Sequence, residues 1–304
     1  MPPPQGRTSR LRRGRALCGH GRVEGMSSAQ KSQTIVITGS SDGIGAAAAR
    51  RLKQDGHSLV LVGRSEEKTR RVGEELDSPW LTADFADLGQ VRALAGRLLA
   101  EVPTIDVLVN NAGGIFGDRA RTVDGFEKTL QVNHLAPFLL TNLLMPTLLA
   151  RRATVINTSS AAARLFGRID LDDLNNDRKF SANKAYGDSK LANVLFTKEL
   201  HRRFHPEGLS AAAFHPGPVA TGFASDSTSL MRWIYQTPLR NVVGLIPPDA
   251  GAQTLVWLAE TTPGTDWQSG EFYEKLRIAR TNPQASDAGL ARAFWDRSAE
   301  LVGL

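Results

Sequence analysis

Cysteine is all but absent from this chain: Cys18 is the single one in 304 residues. One thiol excludes an intramolecular disulfide and a cysteine-based metal site, and the scarcity suits a reducing compartment. A cytoplasmic location and no bound metal are the expectations. Long apolar runs are also missing. The longest, from Leu135 to Met145, is interrupted by Pro137, Thr141 and Asn142, and a bilayer crossing needs ~18–20 apolar residues. No membrane span is expected. The body of the chain lacks an excess of either charge. The whole carries +6, but residues 1–25 hold six arginines against one acid, Glu24, which is +5 and leaves the rest near +1. The high pI belongs to the tail, so nucleic acid is not an expected partner.

That tail is rich in proline, glycine and arginine and has no apolar periodicity. Residues 1–30 are expected to be a disordered basic extension to a domain at 31–304. The tail has no apolar core of the kind found in secretory signals. Two readings stay open: a segment without a catalytic role, and a natural start at Met26. The arginines also leave a mitochondrial transit segment open, although glycines and prolines spoil an amphipathic helix.

From Gln33 onward, short apolar strands alternate with amphipathic helices. Strands are predicted at 34–38, 58–62, 80–83, 105–109, 154–158, 209–214 and 270–273. Helices are predicted at 44–55, 66–76, 88–100, 125–150 and 184–204. The strands are apolar on both faces, as a parallel sheet covered by helices requires. The fold class is α/β: a single doubly wound, Rossmann-like parallel sheet with helices on both faces.

The first strand runs directly into Thr38-Gly-Ser-Ser-Asp-Gly-Ile-Gly45 and then a helix. Glycines there let the backbone turn and approach a ligand closely. The following helix presents N–H groups and a positive dipole end to a pyrophosphate. The spacing is Gly-x-x-x-Gly-x-Gly, not the commoner Gly-x-Gly-x-x-Gly, and a plain strand–helix turn is the alternative. This loop resembles the cofactor loop of the short-chain dehydrogenases/reductases, and further motifs follow in that family's order. They are Asn110-Asn-Ala-Gly113, Thr158-Ser-Ser160, Tyr186-Gly-Asp-Ser-Lys190 and His215-Pro-Gly-Pro-Val-Ala-Thr221. The resemblance spans about 33–304.

It implies cofactor contacts at Gly39, Ser41, Asp42, Gly43, Ile44 and Gly45 in the loop. It also implies contacts at Asn111, Ala112 and Gly113 after the fourth strand, and at Pro216, Gly217, Val219 and Thr221 after the sixth. By the same resemblance Asp84 accepts from the adenine, with Phe85 alongside; a helix cap near Leu88 is the alternative. Arg64 ends the second strand where an acid would bind the ribose hydroxyls of NAD. An arginine accommodates a 2′-phosphate there, so NADP is the expected cofactor. Asp42 weighs against this, because some NADP users of the family carry a basic residue there.

Tyr186 and Lys190 stand at i and i+4, on one helix face. A free tyrosine, with a pKa near ~10, is a poor base at neutral pH, and a nearby ammonium favours its phenolate. Tyr186 can then exchange a proton with a substrate oxygen as hydride moves. The spacing alone is a weak signal. The resemblance adds Ser160 as hydrogen-bond donor to the substrate oxygen and Asn133 as holder of a water that leads to Lys190. Both Tyr186 and Lys190 also count as cofactor contacts. His134, next to Asn133, reads as a helix-surface or subunit-contact residue.

Ser160 and Tyr186 are 26 positions apart, and the end of the chain carries Ser269-Gly-Glu-Phe-Tyr273 and Phe294-Trp-Asp-Arg. These features are similar to the retinol dehydrogenase, WW-domain oxidoreductase and protochlorophyllide reductase branch. That similarity implies NADP and a small lipophilic carbonyl or alcohol substrate, with C=C reduction or a non-catalytic NADP-binding redox sensor as alternatives. The animal enzymes' N-terminal anchor has no counterpart here, which argues against retinol itself. Residues 223–247 hold Leu230, Met231, Trp233, Ile234, Tyr235 and Leu239, and read as an apolar substrate lid; core or subunit packing is the alternative. A homodimer or homotetramer is implied, with 125–150 and 184–204 as its faces.

Overall fold

The computed structural model describes Met1 and residues 32–219 and 246–304. Residues 2–30 of the basic extension, Thr221 and all but the last two residues of the expected lid lie outside the described residues. The elements belong to the unit Ser32–Leu304.

The strands are β1 (Thr34–Thr38), β2 (Ser58–Gly63), β3 (Trp80–Thr82), β4 (Val107–Asn110), β5 (Thr154–Thr158), β6 (Ser210–His215), β7 (Phe272–Glu274) and β8 (Arg277–Ile278). They form one sheet in the order β3-β2-β1-β4-β5-β6-β7-β8. All pairs are parallel except β7–β8, which closes the edge as an antiparallel hairpin. The hairpin was not read from the sequence. It turns at Lys275 and Leu276, both at positive φ.

Alternation along β1 shows why both faces of the sheet must be covered. Ile35 and Ile37 pack with α1 (Gly43–Gln54) and α9 (Pro248–Glu260). Val36 points the other way, towards α3 (Leu88–Glu101) and α5 (Ala136–Leu143). Helix α2 (Glu66–Glu75) follows β2, the short α7 (Ala162–Leu165) follows β5, and α8 (Ala182–Phe204) lies beneath β5 and β6. The chain first builds outward from β1 to β3, then returns to β4 on the other side of β1. The order therefore reverses between β1 and β4, and the strand ends open a crevice there.

The helix expected at 125–150 is broken. It starts as α4 (Lys128–Leu130), passes through a π-helical turn at Gln131–Leu135, continues as α5, and restarts as α6 (Met145–Ala150). Two prolines account for the breaks. Pro137 has no N–H to give the carbonyl of Asn133 four residues earlier, and Pro146 has none for Asn142. Elsewhere the boundaries agree with expectation to within two residues, and α9 is an additional element, as is the C-terminal helix.

The C-terminal helix α10 (Ala288–Val302) packs on α8 and α5. The Trp295 ring lies 4.9 Å from Phe138, 5.6 Å from Phe196 and 6.0 Å from Phe204. The helices that the resemblance implied as subunit faces thus bury this aromatic surface under their own chain. No described helix is long and apolar enough to cross a membrane.

Removing the Trp295 ring leaves a hole between three helices. Trp295→Ala is expected to lower the unfolding free energy by ~3–5 kcal/mol, measured by urea denaturation. A loss below about 1 kcal/mol would mean that α10 is not held by this cluster.

Candidate active site

The crevice is floored by a hydroxyl. At the end of β1, Thr38 Oγ1 donates to the Val109 carbonyl at 3.1 Å and accepts from the N–H groups of Asn111 and Ala112 at 3.0 and 3.1 Å. This brings the glycine loop against the Asn110–Gly113 segment. Gly39 has φ +66°, and a Cβ there would sit 2.8 Å from Ala112 Cα; one on Gly45 would sit 2.2 Å from the Gly39 carbonyl oxygen. Neither position can carry a side chain. Asp42 caps α1 by accepting from the Gly43 N–H at 2.7 Å, so the helix N-terminus opens into the crevice.

The cavity there has a volume of about 540 Å³. Strand order lays it out from Arg64 after β2, across Gly39, Ser41, Asp42, Gly43 and Ile44 after β1, to Asn111, Ala112 and Gly113 after β4. It continues to Ser160 after β5 and to Pro216, Gly217 and Val219 after β6. Asp84, Phe85 and Tyr186 also line it. Gly45 is buried beneath the loop and serves its close packing. Asp84 accepts from the Ala86 N–H at 2.9 Å, and the cap of α3 is Asp87. Asn111 both lines the cavity and braces it, donating to the Thr38 and Gly39 carbonyls. Its neighbour Asn110 is buried and bonds Thr141 and Asn157 instead.

Lys68 was not singled out from the sequence. It lines the cavity with Arg64, and its Nζ is 3.7 Å from the Asp42 carboxylate. The signal was present as Arg64 and Lys68 at i and i+4. Lys68, on α2, thus places a basic group beside Asp42.

At the far end, Tyr186 is half-buried on the second turn of α8, while Lys190 one turn later is 1% exposed. Lys190 Nζ donates to the Thr158 carbonyl at 3.1 Å and lies 5.6 Å from the centre of the Tyr186 ring. Burial pulls the lysine down to about 7. Ser160 Oγ accepts from the Ala162 N–H at 3.2 Å and faces the same end of the cavity. The Asn133 amide is committed to protein: it accepts from the Gly114 N–H, and donates to the Gly114 carbonyl and to Ser189 Oγ. A Cβ on Gly113 would stand 2.7 Å from Asn133 Oδ1 and 3.4 Å from Lys190 Nζ.

His134 corrects the sequence reading. It is fully buried, its ring 4.7 Å from that of Phe294, and desolvation pushes its pKa down to about 3. The covering residues come from α10, more than 150 positions later, which is why a surface place was expected.

The long span between Ser160 and Tyr186 is tied down beside the site. Arg119 and Arg121 both bond Asp177, the Glu127 N–H donates to Asn175 Oδ1 at 2.8 Å, and Arg168 N–H donates to Asp188 at 2.7 Å. At its start, Leu165 and Phe166 line the cavity while remaining 63% and 49% exposed. With Phe116 and Val132 they make the mouth apolar.

Residues 33–231 match the family model described as short chain dehydrogenase. A protein of Streptomyces sp. (strain C5) named as a daunorubicin C-13 ketoreductase is 43% identical over 278 residues, covering 89% of this chain and 93% of that one. Human retinol dehydrogenase 13 is 36% identical over 282 residues, covering 90% and 85%. The crystal structure of an uncharacterised Mycobacterium paratuberculosis protein superposes with a TM-score of 0.71 at 33% identity, covering 89% and 93%.

Two outcomes follow from the packing around Lys190. Gly113→Ala is expected to keep the fold by circular dichroism yet lose at least about tenfold in turnover, because the methyl displaces Asn133 and crowds the lysine; an undiminished rate would refute the crowding. The second concerns pH. Lys190 falls from 10.5 to about 7 in the folded chain, so unfolding takes up a proton between these values. Its contribution therefore favours the fold increasingly as pH rises through that window, and is lost as pH falls towards 7. In cofactor-free protein, the stability of wild type relative to Lys190→Met should rise from about pH 6.5 to about pH 9.5; a flat difference would show that the ammonium is not desolvated.

Proposed function

The chain belongs to the short-chain dehydrogenase family, and we propose that it transfers hydride reversibly between NADP(H) and a lipophilic carbonyl or alcohol. One observation carries this reading: a single crevice joins a basic pair, Arg64 and Lys68, to a cluster in which Ser160, Tyr186 and the buried Lys190 converge. The donor set suits a dinucleotide. Gly39 and Gly45 leave no room for side chains, the α1 N-terminus supplies N–H groups to a pyrophosphate, and no acid stands where Arg64 is. Arg64 can fork onto a 2′-phosphate, with Lys68 adding a point charge. Pro216, Gly217 and Val219 border the end where a nicotinamide would lie. When bound, the nicotinamide supplies or accepts the hydride.

The remaining chemistry is assigned to side chains. Ser160 donates to the substrate oxygen and holds it beside the Tyr186 hydroxyl. Tyr186 gives its proton to that oxygen during reduction and recovers one during oxidation. Lys190, when charged, stabilises the phenolate formed in between. The Thr158 carbonyl keeps the ammonium in place. The apolar mouth at Phe116, Leu165 and Phe166 takes the hydrocarbon part of the substrate and sheds water. The names of the relatives suggest two probes, all-trans-retinal and daunorubicin. The scarcity of cysteine supports a cytoplasmic setting.

Tyr186→Phe is expected to reduce turnover of the better probe by ~100-fold or more with the fold intact; an unchanged rate would end this mechanism. In tryptophan-fluorescence titrations, NADPH should bind at least about tenfold tighter than NADH, and Arg64→Ala should remove most of that preference while leaving NADH nearly unaffected. Tighter binding of NADH would overturn the cofactor assignment.

A further inference from the structure

A chain of buried hydrogen bonds leads away from the catalytic lysine. The Thr158 carbonyl that accepts from Lys190 Nζ also accepts from Asn193 Nδ2, at 3.1 Å in both cases. Asn193 Oδ1 faces His134 Nδ1 at 3.4 Å, and His134 Nε2 is 3.0 Å from Ser298 Oγ on α10. Asn193, His134 and Ser298 are all at most 3% exposed.

The directions of these bonds can be deduced. The Thr158 carbonyl only accepts, so Asn193 must turn its NH₂ towards it. The Asn193 oxygen that remains only accepts, so the neutral imidazole must carry its proton on Nδ1. Nε2 is then an acceptor, within reach of the Ser298 hydroxyl. The single hydrogen of that hydroxyl is shared between Nε2 and the Phe294 carbonyl, to which it donates at 2.8 Å. The chain that bears on the lysine is therefore His134 to Asn193, and Asn193 to the Thr158 carbonyl that holds Lys190.

We propose that His134 is a positioning residue for catalysis: by fixing the Asn193 amide it holds the Thr158 carbonyl, and through that carbonyl the Lys190 ammonium, in working geometry. This rests on the reading above that Lys190 supports proton transfer by Tyr186. The π-helical turn at Gln131–Leu135 carries both Asn133 and His134, and His134 meets an aromatic cage formed by Phe138, Phe196 and Phe294. The cage excludes water that could otherwise replace the Nδ1–H donor.

Two substitutions separate positioning from packing. In His134→Asn the amide nitrogen takes the place of Nδ1 and can still donate to Asn193, although the cavity is less well filled. In His134→Gln the amide reaches the place of Nε2 and Ser298, fills the cavity better, and leaves Asn193 without its donor. Positioning requires that His134→Gln lose about tenfold or more in kcat for reduction of all-trans-retinal or daunorubicin, whichever wild type turns over faster. His134→Asn should keep kcat within about threefold, with the NADPH Kd of both within about threefold of wild type. A packing role predicts the reverse order, with His134→Asn the poorer in both thermal midpoint and kcat, and that order would overturn the proposal. So would wild-type kcat in His134→Gln. Tyr186→Phe run alongside keeps the two readings apart. If it is inactive while His134→Gln is unimpaired, the positioning role alone fails; if it is fully active, the proton-transfer reading fails first.

Discussion

An ammonium group enclosed in protein must have its hydrogen bonds supplied by fixed neighbours, because water cannot correct an error of placement. The Lys190 site is organised around that requirement. Thr158 ends β5 so that its carbonyl meets Nζ, and Gly113 ends the β4 segment without a Cβ because Asn133 and Lys190 occupy the space. Asn133 ties the Gly114 backbone to Ser189 in the catalytic helix. Desolvation then sets the lysine near neutrality, where a modest change in its surroundings decides whether it is charged. A group poised in this way suits a residue whose task is to favour a phenolate for one step only.

The same crevice depends on a reversal of strand order. With β2 and β3 on one side of β1 and β4 to β7 on the other, two loops diverge and leave a cleft where a continuous sheet would leave none. Thr38 closes its floor with three hydrogen bonds. The cleft's chemistry is graded by which strand ends there. Basic groups follow β2, backbone N–H groups follow β1, and Ser160 follows β5 with Tyr186 and Lys190 on α8.

The legible parts of this protein were those written in local pattern. Two-sided apolar strands, the glycine loop and the four-residue interval from Tyr186 to Lys190 are short-range signals, and each lies where its pattern implied. The parts that were missed depend on distant partners. Pro137 was visible within 125–150, yet the apolar run around it read as one helix, because a proline is tolerated in a first turn and the local pattern does not say where that turn lies. His134 looked like a surface residue until α10 covered it. Lys68 was one charge among several on a polar helix; only the fold brings it beside Asp42 and Arg64.

The placement of α10 has a consequence for the order in which the protein is made. Synthesis delivers α5 and α8 before α10, with Phe138 and Phe196 unshielded until Trp295 has also left the ribosome. Until then the nascent chain displays an aromatic surface next to an unfinished catalytic centre, a feature that chaperones bind and that promotes aggregation. Arrival of α10 buries that surface. A polypeptide stopped before Ala288 would therefore carry Ser160, Tyr186 and Lys190 and still display that surface.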